Sequence, residues 1–257
     1  MLVCPICKKK LKKFENKYQC EESHSFDIAR QGYVNFSLRQ KKEQGDNARM
    51  IHSRTQFLEK DYYDFMRQSV ASILCRYDVK ILFDAGCGQG YYTKSFANIC
   101  STVIGADLSK EGVRYAAAHD KKSFYFVSSI FDLPLENECV DGVTSIFVPN
   151  AYEEVHRILK KNGIWIVVGP GPKHCWELKE LLYGTPYENS WPESSMEGFE
   201  QVEQVKINNK YYVDNVWSLL GMTPYRYKTG KKGLDAAKEC PGLNVTFEFI
   251  ITVWRKK

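Results

Sequence analysis

From residue 80 onward, apolar and polar positions fall into alternating blocks. The apolar runs Ile81–Ala85, Thr102–Ala106, Ser123–Val127, Gly142–Val148 and Ile164–Val168 are short and nearly unbroken. Such runs mark strands covered on both faces. Between them, Tyr92–Ile99, Lys110–His119 and Tyr152–Leu159 carry apolar residues at helical spacing. The alternation predicts βαβ units and a mostly parallel sheet. Gln201–Tyr212 and Leu243–Trp254, rich in β-branched and aromatic residues, predict a closing strand pair with a final antiparallel strand. Upstream, Ile51, Phe57, Leu58, Phe65, Val70, Ile73 and Leu74 punctuate residues 51–76 at helical spacing, and the polar stretch 38–50 predicts a basic linker leading into them. No repeat is visible.

Composition sharpens this only slightly. With 257 residues, 44% hydrophobic, 26% charged and 14% aromatic, the chain has room for one α/β domain and a small module, and intrinsic disorder is excluded. No apolar run approaches the roughly 18 residues of a membrane helix. Met-Leu-Val-Cys-Pro at the start lacks a signal-peptide pattern, so a soluble cytoplasmic protein is expected. The net charge of +5 is unevenly placed: residues 1–60 hold 13 Lys/Arg against 7 Asp/Glu, a balance of +6, and the remainder hold 23 against 24. A solvated surface explains the excess as readily as a polyanion-facing module does.

Three of nine cysteines crowd the N-terminus, and Cys75, Cys87, Cys100, Cys139, Cys175 and Cys240 are scattered, as small buried hydrophobes are. Cys4, Cys7, Cys20 and His24 form C-x2-C-x12-C-x3-H, two ligand pairs able to close a tetrahedral zinc shell. With all four positions filled by protein, the zinc is expected to be structural, and its binding supplies the folding energy that so small a segment lacks. Lys8, Lys9, Lys10, Lys12 and Lys13 lie between the pairs, as in zinc knuckles that grip nucleic acid. Phe26, Tyr33 and Phe36 follow, either to stack bases or to form the module's core.

The strand ending at Asp84 runs into Gly86-Cys-Gly88-Gln89-Gly90 and then a helix. Glycines allow a tight turn and close approach to a ligand. A carboxylate before the turn repels a pyrophosphate and attracts an ammonium, which favours S-adenosylmethionine over NAD. Asp107, ending the next strand, suits ribose hydroxyls, and the loop Ser128-Ser129-Ile130-Phe131-Asp132 suits an adenine edge.

Together these motifs resemble the RlmA-type 23S rRNA (guanine-N1)-methyltransferases, which include tylosin-resistance enzymes. CPIC…CEESHSFDIARQGYVNF, GDNARMIHSRTQFL, DAGCGQGYYT, GPGPKHCWELKELLY and GMTPYRYK carry the resemblance over nearly the whole chain. It implies a class I S-adenosylmethionine-dependent methyltransferase, Rossmann-like, plus an N-terminal zinc-binding module. The expected division is a zinc-binding RNA-recognition module (1–37), a basic linker and helical connector (38–76) and a methyltransferase domain (77–257). Tyr63, Gly88, Gln89 and His174 fall on the family's contacts to S-adenosylmethionine. Asp84, Gly86, Asp107, Ser129 and Ile130 fall where class I methyltransferases generally contact it. The resemblance further implies a homodimer acting on the helix 35 hairpin in domain II of 23S rRNA. Two departures stand out: Gln89 replaces a frequent acid, and Arg54 is followed by Thr55 where the family often has a second Arg.

Guanine N1 must lose its proton during attack, so a base or donors to O6 are needed. His174 and Asp132 are the candidate bases, Lys173 and Arg54 the candidate O6 or phosphate partners, and Phe147 a candidate stacking surface for a flipped base, with core packing the plainer role for that ring. Two other readings remain at this point: a small-molecule methyltransferase, which leaves the zinc module without a task, and a non-catalytic zinc-containing RNA-binding protein.

Overall fold

In the computed structural model, residues 1–38 and 48–257 are described, so most of the expected basic linker lies outside the described residues. The N-terminal segment forms four short strands: β1 (Lys12–Lys13), β2 (Lys17–Gln19), β3 (Ser25–Asp27) and β4 (Val34–Asn35). Helices α1 (Ala48–Leu58) and α2 (Asp64–Arg76) follow. The sequence pattern ran straight through residues 51–76, whereas the chain turns between Glu59 and Tyr63, with Asp61 in the left-handed region at φ 58°.

The predicted alternation then appears as β5 (Ile81–Ala85), α3 (Tyr91–Phe96), β6 (Thr102–Asp107), α4 (Lys110–His119), β7 (Phe124–Val127), β8 (Val140–Ile146), α5 (Tyr152–Ile158) and β9 (Leu159–Pro170). The chain closes with α6 (Trp176–Tyr183), β10 (Phe199–Val213), α7 (Val216–Met222), α8 (Tyr225–Lys228), α9 (Lys231–Glu239) and β11 (Leu243–Lys256). The helices α6 to α9 had no counterpart in the sequence pattern.

Eight strands form one sheet in the order β10-β11-β9-β8-β5-β6-β7-β4. The central strands are parallel, and β11 runs antiparallel to both β9 and β10. This is the class I methyltransferase arrangement, with the connections after β5, β6, β7, β8 and β9 gathered at the sheet's C-terminal edge, where open α/β sheets bind ligands.

The outermost strand, β4, comes from the zinc-binding segment: Val34 and Asn35 pair with Phe126 and Val127, and the Phe36 amide donates to the Val127 carbonyl. On the far side of the loop after β7, the Val3 amide donates to the Pro134 carbonyl, Leu2 bridges Leu135, and the Glu136 amide donates to the Met1 carbonyl. The N-terminal segment therefore brackets residues 128–133 from both ends. Cys4, Leu11, Val34 and Phe36 share one apolar cluster with Phe126, Ile130, Leu133 and Leu135. Of the three aromatics that might have stacked bases, Tyr33 and Phe36 are buried, and Phe26 packs on Phe36 with ring centroids 5.2 Å apart; all three serve packing. Among the scattered cysteines, Cys87, Cys100 and Cys175 are buried as expected, Cys139 and Cys240 are half-buried, and Cys75 is exposed on α2.

Candidate cofactor site and metal centre

Cys4, Cys7, Cys20 and His24 bring their ligand atoms within 4.8 Å of one another. Cys7 Sγ lies 3.6 Å from Cys20 Sγ, and His24 Nδ1 lies 3.6 and 3.4 Å from the sulfurs of Cys4 and Cys20. A tetrahedron with zinc bonds of ~2.3 Å to sulfur and ~2.1 Å to nitrogen has edges of roughly 3.5–3.8 Å, so the cluster fits Zn²⁺ with no position left for a substrate. The metal is structural. The lysines around it are less free than their sequence suggests. Lys8 pairs with Asp132 at 2.7 Å, Lys9 with Glu22 at 2.5 Å and Lys10 with Glu136 at 3.9 Å. Lys12 and Lys13 lie exposed on β1.

The glycine turn sits at the end of β5. Gly86, Gly88 and Gly90 all have positive φ, of 70°, 53° and 80°. A Cβ on Gly86 would come 2.3 Å from Val148 Cγ1, and one on Gly90 would come 2.8 Å from Ala116 Cβ. Asp107 ties this turn to β6: its Oδ2 accepts from the Gly88 amide at 2.9 Å and its Oδ1 from the Ser109 amide at 2.7 Å.

Asp84 is buried below the turn, its two oxygens accepting from the hydroxyls of Thr93 and Thr144. Burial pushes its carboxyl up to about 6; the two hydroxyls oppose the rise and Asp107 adds to it. A cation placed above the turn would relieve this cost, which fits the ammonium end of S-adenosylmethionine. Gln89 supplies a second sign of a missing ligand, because its Nε2 is buried without a hydrogen-bond partner.

The third loop carries Ser129 and Ile130. Ser129 Oγ accepts from the Phe131 amide at 3.2 Å, and the Ile130 side chain turns into the apolar cluster shared with the zinc ribbon. Asp132, by its contact with Lys8, faces the ribbon, which makes it a poor candidate base.

Tyr63, at the N-terminus of α2, and His174, after β9, meet in a buried aromatic group with Phe247 and Phe249. Phe147 joins them from the end of β8, its ring centroid 6.1 Å from that of Tyr63 and 6.3 Å from that of His174. Phe147 has φ 58° and remains partly exposed, a backbone position that a phenylalanine adopts only under constraint. Burial pulls the His174 imidazole down to about 3, so the ring is neutral at physiological pH.

The described structure thus gathers the predicted cofactor residues along one edge of the sheet, with Asp132 turned away. Sequence reasoning missed Thr93 and Thr144, which hold Asp84, and Glu248, whose carbonyl lies 3.0 Å from His174 Nδ1. Glu248 comes from a strand 74 residues away, and no local motif marks it.

Comparisons with known proteins agree with this geometry. The RlmA N-terminal zinc-ribbon family model matches residues 2–43, and a methyltransferase-domain model matches residues 83–167. A protein of Streptomyces fradiae, the 23S rRNA (guanine(748)-N(1))-methyltransferase, is 28% identical over 99% of this chain and 96% of its own length. The Bacillus subtilis protein YxjB, which carries a provisional 23S rRNA (guanine-N1)-methyltransferase name, is 27% identical over 100% of this chain and 97% of its own. A chain of the solved complex between the Trm112 methyltransferase activator and a methyltransferase from Haloferax volcanii matches with TM-score 0.50 at 18% identity, covering 82% of this chain and 99% of that one, a likeness of fold. Zinc ribbon, glycine turn and full-length relatives converge: an RlmA-type N-terminal zinc ribbon precedes a methyltransferase domain, and over its whole length the chain is similar to 23S rRNA (guanine-N1)-methyltransferases.

Proposed function

We propose that the protein methylates N1 of a guanine in the helix 35 hairpin of 23S rRNA, using S-adenosylmethionine, and works as a homodimer in the cytoplasm. The observation that carries this reading is the ribbon's place in the fold. A zinc-binding segment with exposed lysines is built into the same sheet as the cofactor turn and flanks the third cofactor loop on both sides. A small-molecule methyltransferase has no use for that addition, and a non-catalytic RNA-binding protein has no use for the buried Asp84 and a turn in which Gly86 and Gly90 leave no room for a Cβ.

S-adenosylmethionine supplies an electrophilic methyl group on a sulfonium. The chain's part is to hold the acceptor in line with it and to keep water out. The site residues proposed for the cofactor are Tyr63, Asp84, Gly86, Gly88, Gln89, Asp107, Ser129, Ile130 and His174. Phe147, partly exposed beside Tyr63 and His174, offers a face for the flipped guanine. Neutral His174 orients Tyr63 rather than taking the N1 proton. Lys173, exposed and adjacent in the chain, can meet negative charge developing at O6.

Labelled methyl transfer to unmethylated 23S rRNA, followed by primer extension, tests the reading. A single reverse-transcriptase stop in the helix 35 hairpin is expected, because N1 methylation blocks Watson–Crick pairing. Incorporation elsewhere in the RNA removes the hairpin assignment, and no incorporation by a protein that binds the cofactor removes the naked-rRNA substrate. Light scattering reads the oligomeric state, with twice the 29.7 kDa chain mass expected.

A further inference from the structure

Helix α1 does more than connect. Its Ile51 is buried against the glycine turn and α4: a Cβ on Gly112 would meet Gly88 O at 2.9 Å and Ile51 Cδ1 at 3.3 Å. Arg54 lies three residues on, along the same helical face. Its Nη1 comes within 3.6 Å of the position a Gly88 Cβ would occupy. In the turn itself, the next residue's amide nitrogen, Gln89 Nε2, is buried with no hydrogen-bond partner within the protein. Two donors, one cationic, therefore converge on the glycine turn, with the Asp84 carboxylate buried beneath it.

We propose that Arg54, reaching from α1, and the side-chain amide of Gln89 together hold the carboxylate of the cofactor's methionyl end, so that α1 is a wall of the cofactor site. The donor set suits that ligand. A methionyl group is a zwitterion, and the turn offers opposite charges to its two ends: guanidinium and amide N–H groups above, carboxylate below. This assignment moves Arg54 from RNA grip to cofactor binding. It rests on the methyltransferase reading above and deepens it.

The test compares two ligands that share the adenosine part. S-adenosylhomocysteine carries the amino-acid end, and 5′-methylthioadenosine lacks it. Binding of each to the full-length protein is measured by calorimetry without RNA, for the wild type, Arg54→Met, Arg54→Lys and Gln89→Leu. Loss of a charge-assisted hydrogen bond predicts that Arg54→Met weakens S-adenosylhomocysteine by about 10- to 100-fold and leaves 5′-methylthioadenosine within about twofold. Arg54→Lys recovers part of the loss, and Gln89→Leu shows the same selectivity with a smaller effect. Equal losses for both ligands would mean that α1 has merely shifted, and overturn the proposal. Unchanged affinity for both, with weaker RNA binding, overturns it in favour of an RNA contact. A wild-type protein that binds neither ligand defeats the methyltransferase reading itself.

Discussion

Tyr63 Oη lies 3.4 Å from Nε2 of His174, and Nδ1 of the same ring lies 3.0 Å from the Glu248 carbonyl. The carbonyl can only accept, so the ring's proton sits on Nδ1 and Nε2 accepts from the tyrosine. Burial holds His174 at about 3, below the range in which a base serves near neutral pH. Tyr63→Phe should therefore cost about 0.5–1.5 kcal/mol of stability, the worth of one neutral hydrogen bond, and leave the shape of the pH–rate profile between pH 6 and 8 unchanged. A His174→Gln enzyme that loses or shifts the acid limb of that profile would restore histidine as the base.

His174 and Asp84 oppose one another in acid. His174 is depressed from 6.5 to about 3, so between those values the unfolded chain binds more protons and folding stability is lost as pH falls. Asp84 is raised from 3.8 to about 6, so between those values the folded chain binds more protons and stability is gained as pH falls. Urea unfolding at pH 7, 6, 5 and 4 should show a shallower acid decline in His174→Gln and a steeper one in Asp84→Asn. The difference in slope for either is at most about 1.4 kcal/mol per pH unit. Parallel curves for both variants would show that neither group titrates as its burial requires.

Gly86→Ala should abolish cofactor binding. Its methyl group would sit 2.3 Å from Val148 Cγ1 at φ 70°, and relief would require moving the chain beyond β8. Gly184→Ala is the control: φ is 75°, yet nothing lies within 4 Å, so only the backbone cost of about 1–3 kcal/mol applies. Thermal melts and calorimetry separate the two.

Phe147→Ala should lower kcat by about 10- to 100-fold, the worth of one stacked base, with S-adenosylhomocysteine affinity held. Phe147→Leu should resemble alanine if stacking matters and wild type if only bulk does. A matching fall in cofactor affinity would place the ring with the cofactor instead.

Lys12→Ala combined with Lys13→Ala should reduce the slope of log K against log salt for RNA binding by between about 1.4 and 1.8, whereas Lys8→Ala should leave it nearly unchanged, because Lys8 already neutralises Asp132. A large slope change for Lys8→Ala alone would show that the RNA displaces that pair.

The central strands were legible because each is an apolar run long enough to cross a buried sheet, and β5, β6 and β7 fall within one residue of their predicted bounds. The glycine turn and the four metal ligands were legible because spacing alone defines them. What the sequence concealed depends on distant partners. Val34 and Asn35 look like part of a small module's end until Phe126 and Val127 are beside them. The break before Tyr63 hides in a stretch whose apolar spacing is helical on both sides. Arg54 reads as a partner for the RNA until Ile51 seats its helix on Gly112 and Gly88.

The pairing of β4 with β7 has a consequence for how the chain survives its own synthesis. The segment that covers β7 can hold its shape only once it has bound a metal. Without zinc, Phe124-Tyr125-Phe126-Val127 becomes a bare, aromatic, uncharged sheet edge of the kind that recruits strands from other molecules. Zinc starvation would then show itself first as self-association, before any loss of methyl transfer by the molecules that stay in solution. On this expectation the metal would keep a sheet edge covered as well as staple the ribbon.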